Sequence, residues 1–153
     1  MYSKQQASQL RQEFWTTFGQ YMSPLRSAEG EKINWVNYKT GEKNLQFRMH
    51  TGNRGAYIGI ELNHADTGIQ ALYFEQFLEL KHILQATLEE EWSWEQHHTD
   101  EQGKIVSRIF TTIDNTSVFN REDWPVLISF FKPRLIALDE FWSNARYAFE
   151  ALR

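Results

Sequence analysis

Three groups of residues in this sequence have the types and spacing that support chemistry. The first is the run Glu95-Gln96-His97-His98-Thr99-Asp100-Glu101. Residues two apart on a strand face the same way, so Glu95 and His97 would project together as two ligands to one divalent ion. Open zinc sites use three protein ligands, and the spacing shows no third. The plainer role of the run is a polar hairpin tip. The second group is His50, His64 and Asp66, near the ends of neighbouring strands, where they could converge. Asp66 equally suits a helix cap, and no nucleophile stands out beside them. The third is Arg48, Glu61, Glu95 and Arg108. Two guanidiniums and two carboxylates on one sheet face most simply form cross-strand ion pairs. The guanidinium fork also fits a phosphate or carboxylate ligand.

Other chemistries lack their residues. A metal-dependent nuclease needs an acid on one strand and Glu-x-Lys on the next, because carboxylates hold the ion while lysine orients water. Here Glu61 is followed by Leu62 and Asn63, and Leu45 to His50 carries no acid. There is no Gly-rich phosphate loop and no Gly-x-Ser-x-Gly elbow. There is no cysteine, which excludes disulfides, thiolate nucleophiles and Cys-ligated zinc. The formal net charge of −4 excludes a uniformly basic nucleic-acid surface, although not a local patch. Lys39, Lys43, Arg48, Arg54, Lys104 and Arg108 would supply such a patch, with Trp35, Tyr38 and Tyr57 available for base stacking.

The elements that must position these residues are read from hydrophobic periodicity. Asn120 to Arg153 carries Trp124, Leu127, Phe130, Phe131, Leu135, Leu138, Phe141 and Trp142 at three- and four-residue steps. That spacing predicts a long helix with a broad apolar face, capped by Asn120 or Asp123 and kinked at Pro133. Ser3 to Met22 predicts a first helix capped by Ser3 and ended by Ser23-Pro24. Ile33 to Tyr38 predicts a short strand. Leu45, Phe47 and Met49 alternate with polar partners, as do Ala56, Ile58, Ile60 and Leu62, which predicts two more strands with one wet face. Ile69 to Glu90 predicts a second helix, whose Glu89-Glu90-Glu91 end must fray or pair with a basic side chain. Two strands follow, around Trp92 to His97 and over Lys104 to Ile113, joined by the loop Thr99 to Gly103. The fold expected is α+β: a mainly antiparallel sheet of about five strands packed by three helices, in the order α-β-β-β-α-β-β-α, forming a single domain over 1–153.

Aromatics are 15% of residues, with six Trp and eleven Phe, which predicts a thick aromatic core or an aromatic binding surface. No apolar run approaches the ~20 residues that span a bilayer, so no membrane contact is expected. The first residues lack an apolar signal core, and a cytoplasmic location is the expectation. Trp142 and Tyr147, on different sides of the final helix, suggest a protein partner or a homodimer.

Tyr57-Ile58-Gly59-Ile60-Glu61, Phe74 to Leu78 with Lys81, Trp94, Ser107-Arg108-Ile109, Trp124 and Phe131-Lys132-Pro133-Arg134 follow one another in order. Through this spaced pattern, nearly the whole chain resembles the bacterial domain-of-unknown-function family DUF 4268. The resemblance implies no assigned activity and no catalytic residues. It points towards nucleic-acid or restriction and defence systems, and it puts weight on Glu61, Trp94 and Arg108. The ligand-binding candidates are therefore Arg48, Tyr57, Glu61, Trp94 and Arg108, with Glu95 and His97 as candidate metal ligands. No catalytic residue and no cofactor is assigned. The function expected is a non-enzymatic interaction module with nucleic acid or a protein as partner; the alternative is a divalent-metal-dependent nuclease or hydrolase with a degenerate site using Glu61, Glu95 and His97.

Overall fold

The computed structural model describes residues 2–153. Helix α1 (Lys4–Met22) starts at a reciprocal cap, in which the Gln6 amide donates to Ser3 Oγ and the Ser3 amide donates to the Gln6 side chain. Strands β1 (Leu45–Thr51) and β2 (Gly55–Leu62) form a hairpin. Helices α2 (Thr67–Glu79) and α3 (Lys81–Leu88) follow, then strands β3 (Ser93–Thr99) and β4 (Ile105–Asp114). A 3₁₀ turn, Arg121–Asp123, leads into α4 (Trp124–Ala145), which passes into a second 3₁₀ segment, Arg146–Leu152. The sheet is antiparallel throughout, in the order β1-β2-β4-β3.

The α+β class stands, with four strands in place of five and four α-helices in place of three among the described residues. Ile33 to Tyr38 is not a strand. Its aromatic side chains spend their polar atoms on tertiary anchors: Trp35 Nε1 donates to Leu25 O at 3.1 Å, and the Tyr38 hydroxyl donates to Asp139 Oδ1 at 2.6 Å. The chain from residue 23 to 44 is consequently one long pinned loop. The second predicted helix is two, because Leu80 leaves the helical region at φ −98°, ψ 9° and its amide bonds back to Phe77 O. Glu90 meets a basic partner, receiving Arg134 Nε at 2.7 Å and Nη2 at 3.0 Å.

Asn120 caps the 3₁₀ turn, while the Asp123 carboxylate reaches back to the Ser117 amide and leaves α4 without a side-chain cap. Pro125 lies in the first turn, where a missing amide costs nothing. The helix continues through Pro133. Its buried Leu127, Phe131, Leu135 and Leu138 lie in one core with Phe14 and Phe18 of α1, Ile58 and Ile60 of β2, and Phe77 of α2. Phe131 touches Phe14, Trp15 and Phe18 at ring separations of 6.2, 5.2 and 5.9 Å. Fully burying one such side chain is worth roughly 1.5–3 kcal/mol. The helices cover only the inner sheet face: Phe47, Ile58, Ile60 and Ile109 are buried, and Arg48 on the opposite face is exposed.

Candidate functional site

The outer sheet face carries four of the five ligand-binding candidates side by side. Register sets Glu61 opposite Gln46 on one side and Arg108 on the other, with Arg108 opposite Glu95. Charges therefore alternate across β2, β4 and β3, and Arg48, two residues along β1 from Gln46, reaches Glu61 diagonally. Arg48 Nε lies 3.3 Å from Glu61 Oε1, and Arg108 donates to Glu95 Oε1 through Nε and Nη2, both at 2.8 Å. Glu61 pairs with Arg48 and not with Arg108, and its second oxygen accepts the Tyr57 hydroxyl at 2.8 Å. Tyr57 and Phe110 stack with centroids 5.4 Å apart, and the Arg108 guanidinium sits 4.2 Å from the Phe110 centroid and 5.7 Å from that of Tyr57.

Gly59 makes this arrangement fit. A Cβ there would lie 2.6 Å from the Tyr57 hydroxyl and 2.8 Å from Phe110 Cβ, so the tyrosine ring fills the space a side chain would take. Burial, then the charge and hydrogen bond of Glu61, push the Tyr57 phenol above its ordinary range. The group is a fixed hydrogen-bond donor near neutral pH, not a proton carrier. Partly exposed ion pairs of this kind contribute roughly 0–1 kcal/mol each. Their main effect is orientation: they hold two guanidiniums and an aromatic pair in one arrangement on an uncovered face.

The other candidates are divided between the two faces. Trp94 turns to the inner side, packing edge-on to Phe74 at 5.8 Å beneath Lys81 Nζ at 5.3 Å. Glu95 and His97 do not share a face. A bulge between Glu95 and His98 puts His97 at φ 54°, and its Nε2 approaches Thr67 O at 3.1 Å. His98 takes the place beside Glu95, at 3.5 Å. His50 stays on the outer face against Tyr57, whereas His64 is buried against Tyr73 at the far end of the hairpin and Asp66 caps α2 through the Gly68 and Ile69 amides. Among the described residues, no three His, Cys, Asp or Glu are grouped to hold a metal ion. Trp35 and Trp142 are buried, which removes one proposed stacking residue and one side of the proposed dimer surface; Tyr147 is exposed.

Sequence reasoning missed Asp139. It is buried in α4, where its Oδ2 accepts the Ala28 amide at 2.7 Å and its Oδ1 accepts the Tyr38 hydroxyl. The signal was an acid between Leu138 and Phe141, on a stripe that periodicity assigns to the core. Asp139, Lys39, Trp142 and Arg146 line a cleft of about 430 Å³ between the long loop and α4. Burial first, then Asp139, raise the Tyr38 phenol above its ordinary range. Glu42 was missed as well: it is buried and receives Arg153 Nε at 2.6 Å and the Tyr73 hydroxyl at 3.2 Å.

Among the described residues, no helix is long and apolar enough to cross a membrane. No curated protein and no solved structure matches the chain. A family model does match, and it spans most of α1, the long loop, the whole sheet and α4. On that match over residues 10–146, the chain belongs to the family described as "Domain of unknown function (DUF4268)".

Proposed function

We propose that the chain is a single-domain, non-enzymatic interaction module that meets its partner on the outer sheet face. One observation carries this reading: Arg108 is clamped by Glu95 and laid over Phe110 beside Tyr57, on a face no helix covers. Arginine and tyrosine held rigid before contact are the residue types that dominate binding energy at interfaces, because little side-chain entropy remains to be lost.

Association with nucleic acid, and with restriction or defence systems, rests on the family resemblance. The face supports it through stacked aromatics and two guanidiniums, each of which must exchange a carboxylate for a phosphate. Fluorescence anisotropy with single- and double-stranded DNA at low salt tests this part. Micromolar binding that weakens with salt is expected; no binding at tens of micromolar protein removes nucleic acid as the partner. Arg108→Lys keeps the charge and loses the planar fork. Lost binding at an unchanged melting temperature supports a recognition role for Arg108, and a lowered melting temperature with intact binding supports a purely structural one.

A further inference from the structure

The two edges of the sheet are finished differently. The β3 edge is broken by the His97 bulge, a device that keeps foreign strands from pairing. The β1 edge runs straight, in unbroken register with β2 from Leu45 to Thr51. The Asn63 amide bonds to Asn44 O and the Gly52 amide to Gly55 O, so the even-numbered residues of β1 exchange bonds with β2. Leu45, Phe47, Met49 and Thr51 then point their N–H and C=O groups away from the sheet. The end groups are occupied: Leu45 N bonds to Glu42 O, Leu45 O accepts the Thr40 hydroxyl, and Thr51 O accepts Arg11 Nε. Among the described residues, nothing meets the outward N–H and C=O of Phe47 and Met49.

A groove of about 640 Å³ lies along this stretch, walled on its far side by the loop from Val36 to Lys43. It stands where a fifth strand would have paired. Tyr38 stacks on Phe47 at 5.0 Å beside it. The groove is basic: Lys39 and Lys43 enter no ion pair among the described residues, and Arg48 is half exposed beside its pairing with Glu61. Its one acid, Glu42, is buried and bonded to Arg153. A second copy of this chain is a poor occupant, because β1 carries Arg48 and no acid, and edge-to-edge pairing would oppose like charges.

We propose that the β1 edge docks an extended, acidic peptide segment of a protein partner as a fifth strand, through the main-chain groups of Phe47 and Met49, with Lys39, Lys43 and Arg48 reading its acidic side chains. This rests on the interaction-module reading and adds to the outer face a second surface, the sheet edge, with its own partner. The probe is a fluorescein-labelled octapeptide alternating glutamate with valine or threonine, with a lysine-for-glutamate counterpart as control. Anisotropy at low salt is expected to show micromolar binding of the acidic peptide and about tenfold weaker binding of the basic one. Lys39→Glu with Lys43→Glu should reverse that preference. Met49→Pro removes an amide the sheet does not use, and should cost about tenfold in affinity. Hydrogen exchange on the wild-type complex reads the same contact without a variant, as new protection at the Phe47 and Met49 amides. No acidic-peptide binding at tens of micromolar, equal binding of both peptides, or binding without protection at Phe47 and Met49 overturns the proposal, as does self-association through β1 measured by sedimentation. Arg108→Lys should leave the peptide affinity within about twofold, so failure here and failure on the outer face are told apart.

Discussion

The Tyr57 hydroxyl donates to Glu61 Oε2 at 2.8 Å by laying its ring over Gly59, two residues along the same strand face. Glycine normally weakens a strand, because it costs backbone entropy and has no side chain to pack. Here its bareness makes room for the ring that Arg108 and Phe110 also touch. Gly59→Ala should therefore destabilise, where a neutral or favourable effect would follow from propensity alone. The expected loss is about 1–3 kcal/mol, the usual range for overpacking. Urea denaturation checks this, and a stability equal to or above wild type would show that the ring yields freely.

Asp139 links α4 to two points of the pinned loop, Ala28 and Tyr38. Asp139→Ala leaves the Ala28 amide and the Tyr38 hydroxyl without their acceptor, at a cost of about 2–4 kcal/mol. Tyr38→Phe removes one of those bonds only. A double-mutant cycle on the pair should give a coupling of about 1–2 kcal/mol by chemical denaturation. Additive losses would mean that the two groups act separately.

Burial pushes the Glu90 carboxyl up, but hydrogen bonds from Arg134 and Trp92 outweigh it and hold the group below its usual 4.5. A carboxyl depressed in the folded state stabilises above its unfolded value, and that stability is lost as pH falls through the lower folded value. Arg134→Leu should therefore reduce stability at pH 7 and flatten its decline below about pH 4.5. Melting temperatures from pH 7 to pH 3 check both halves; a parallel shift at every pH would contradict the linkage.

His64 works on a different window. Burial lowers its imidazole below the ordinary 6.5, against the pull of Glu42. The unfolded chain then takes up a proton at a pH where the folded chain does not, so stability is full above 6.5 and falls as pH drops beneath it. In His64→Gln, which cannot titrate, the slope of melting temperature between pH 6.5 and pH 5 should be shallower than in wild type. An unchanged slope would assign it to other groups.

The wet face was legible because period-two alternation fixes which side chains share a side, and Arg48, Tyr57, Glu61 and Arg108 are on the face it assigns. What broke the reading was non-local. Ile33 to Tyr38 has strand composition, but Trp35 and Tyr38 are claimed by Leu25 O and by Asp139, the latter 101 residues away from Tyr38. His97 left its expected face because one extra residue at a bulge inverts the alternation, with no glycine to announce it. The break at Leu80 likewise carries neither proline nor glycine. Asp139 looked like a blemish on an apolar stripe because the loop it holds is distant in sequence.

The account depends on a sheet that stops at β1. Residue-resolved amide hydrogen exchange on the free protein tests this most directly, at two protein concentrations. The Arg48 and His50 amides, bonded into β2, should exchange slowly, while the neighbouring Phe47 and Met49 amides, pointing off the edge, should exchange orders of magnitude faster at both concentrations. Phe47 and Met49 protected as strongly as Arg48 would show a further strand already in place, and the open edge would not exist.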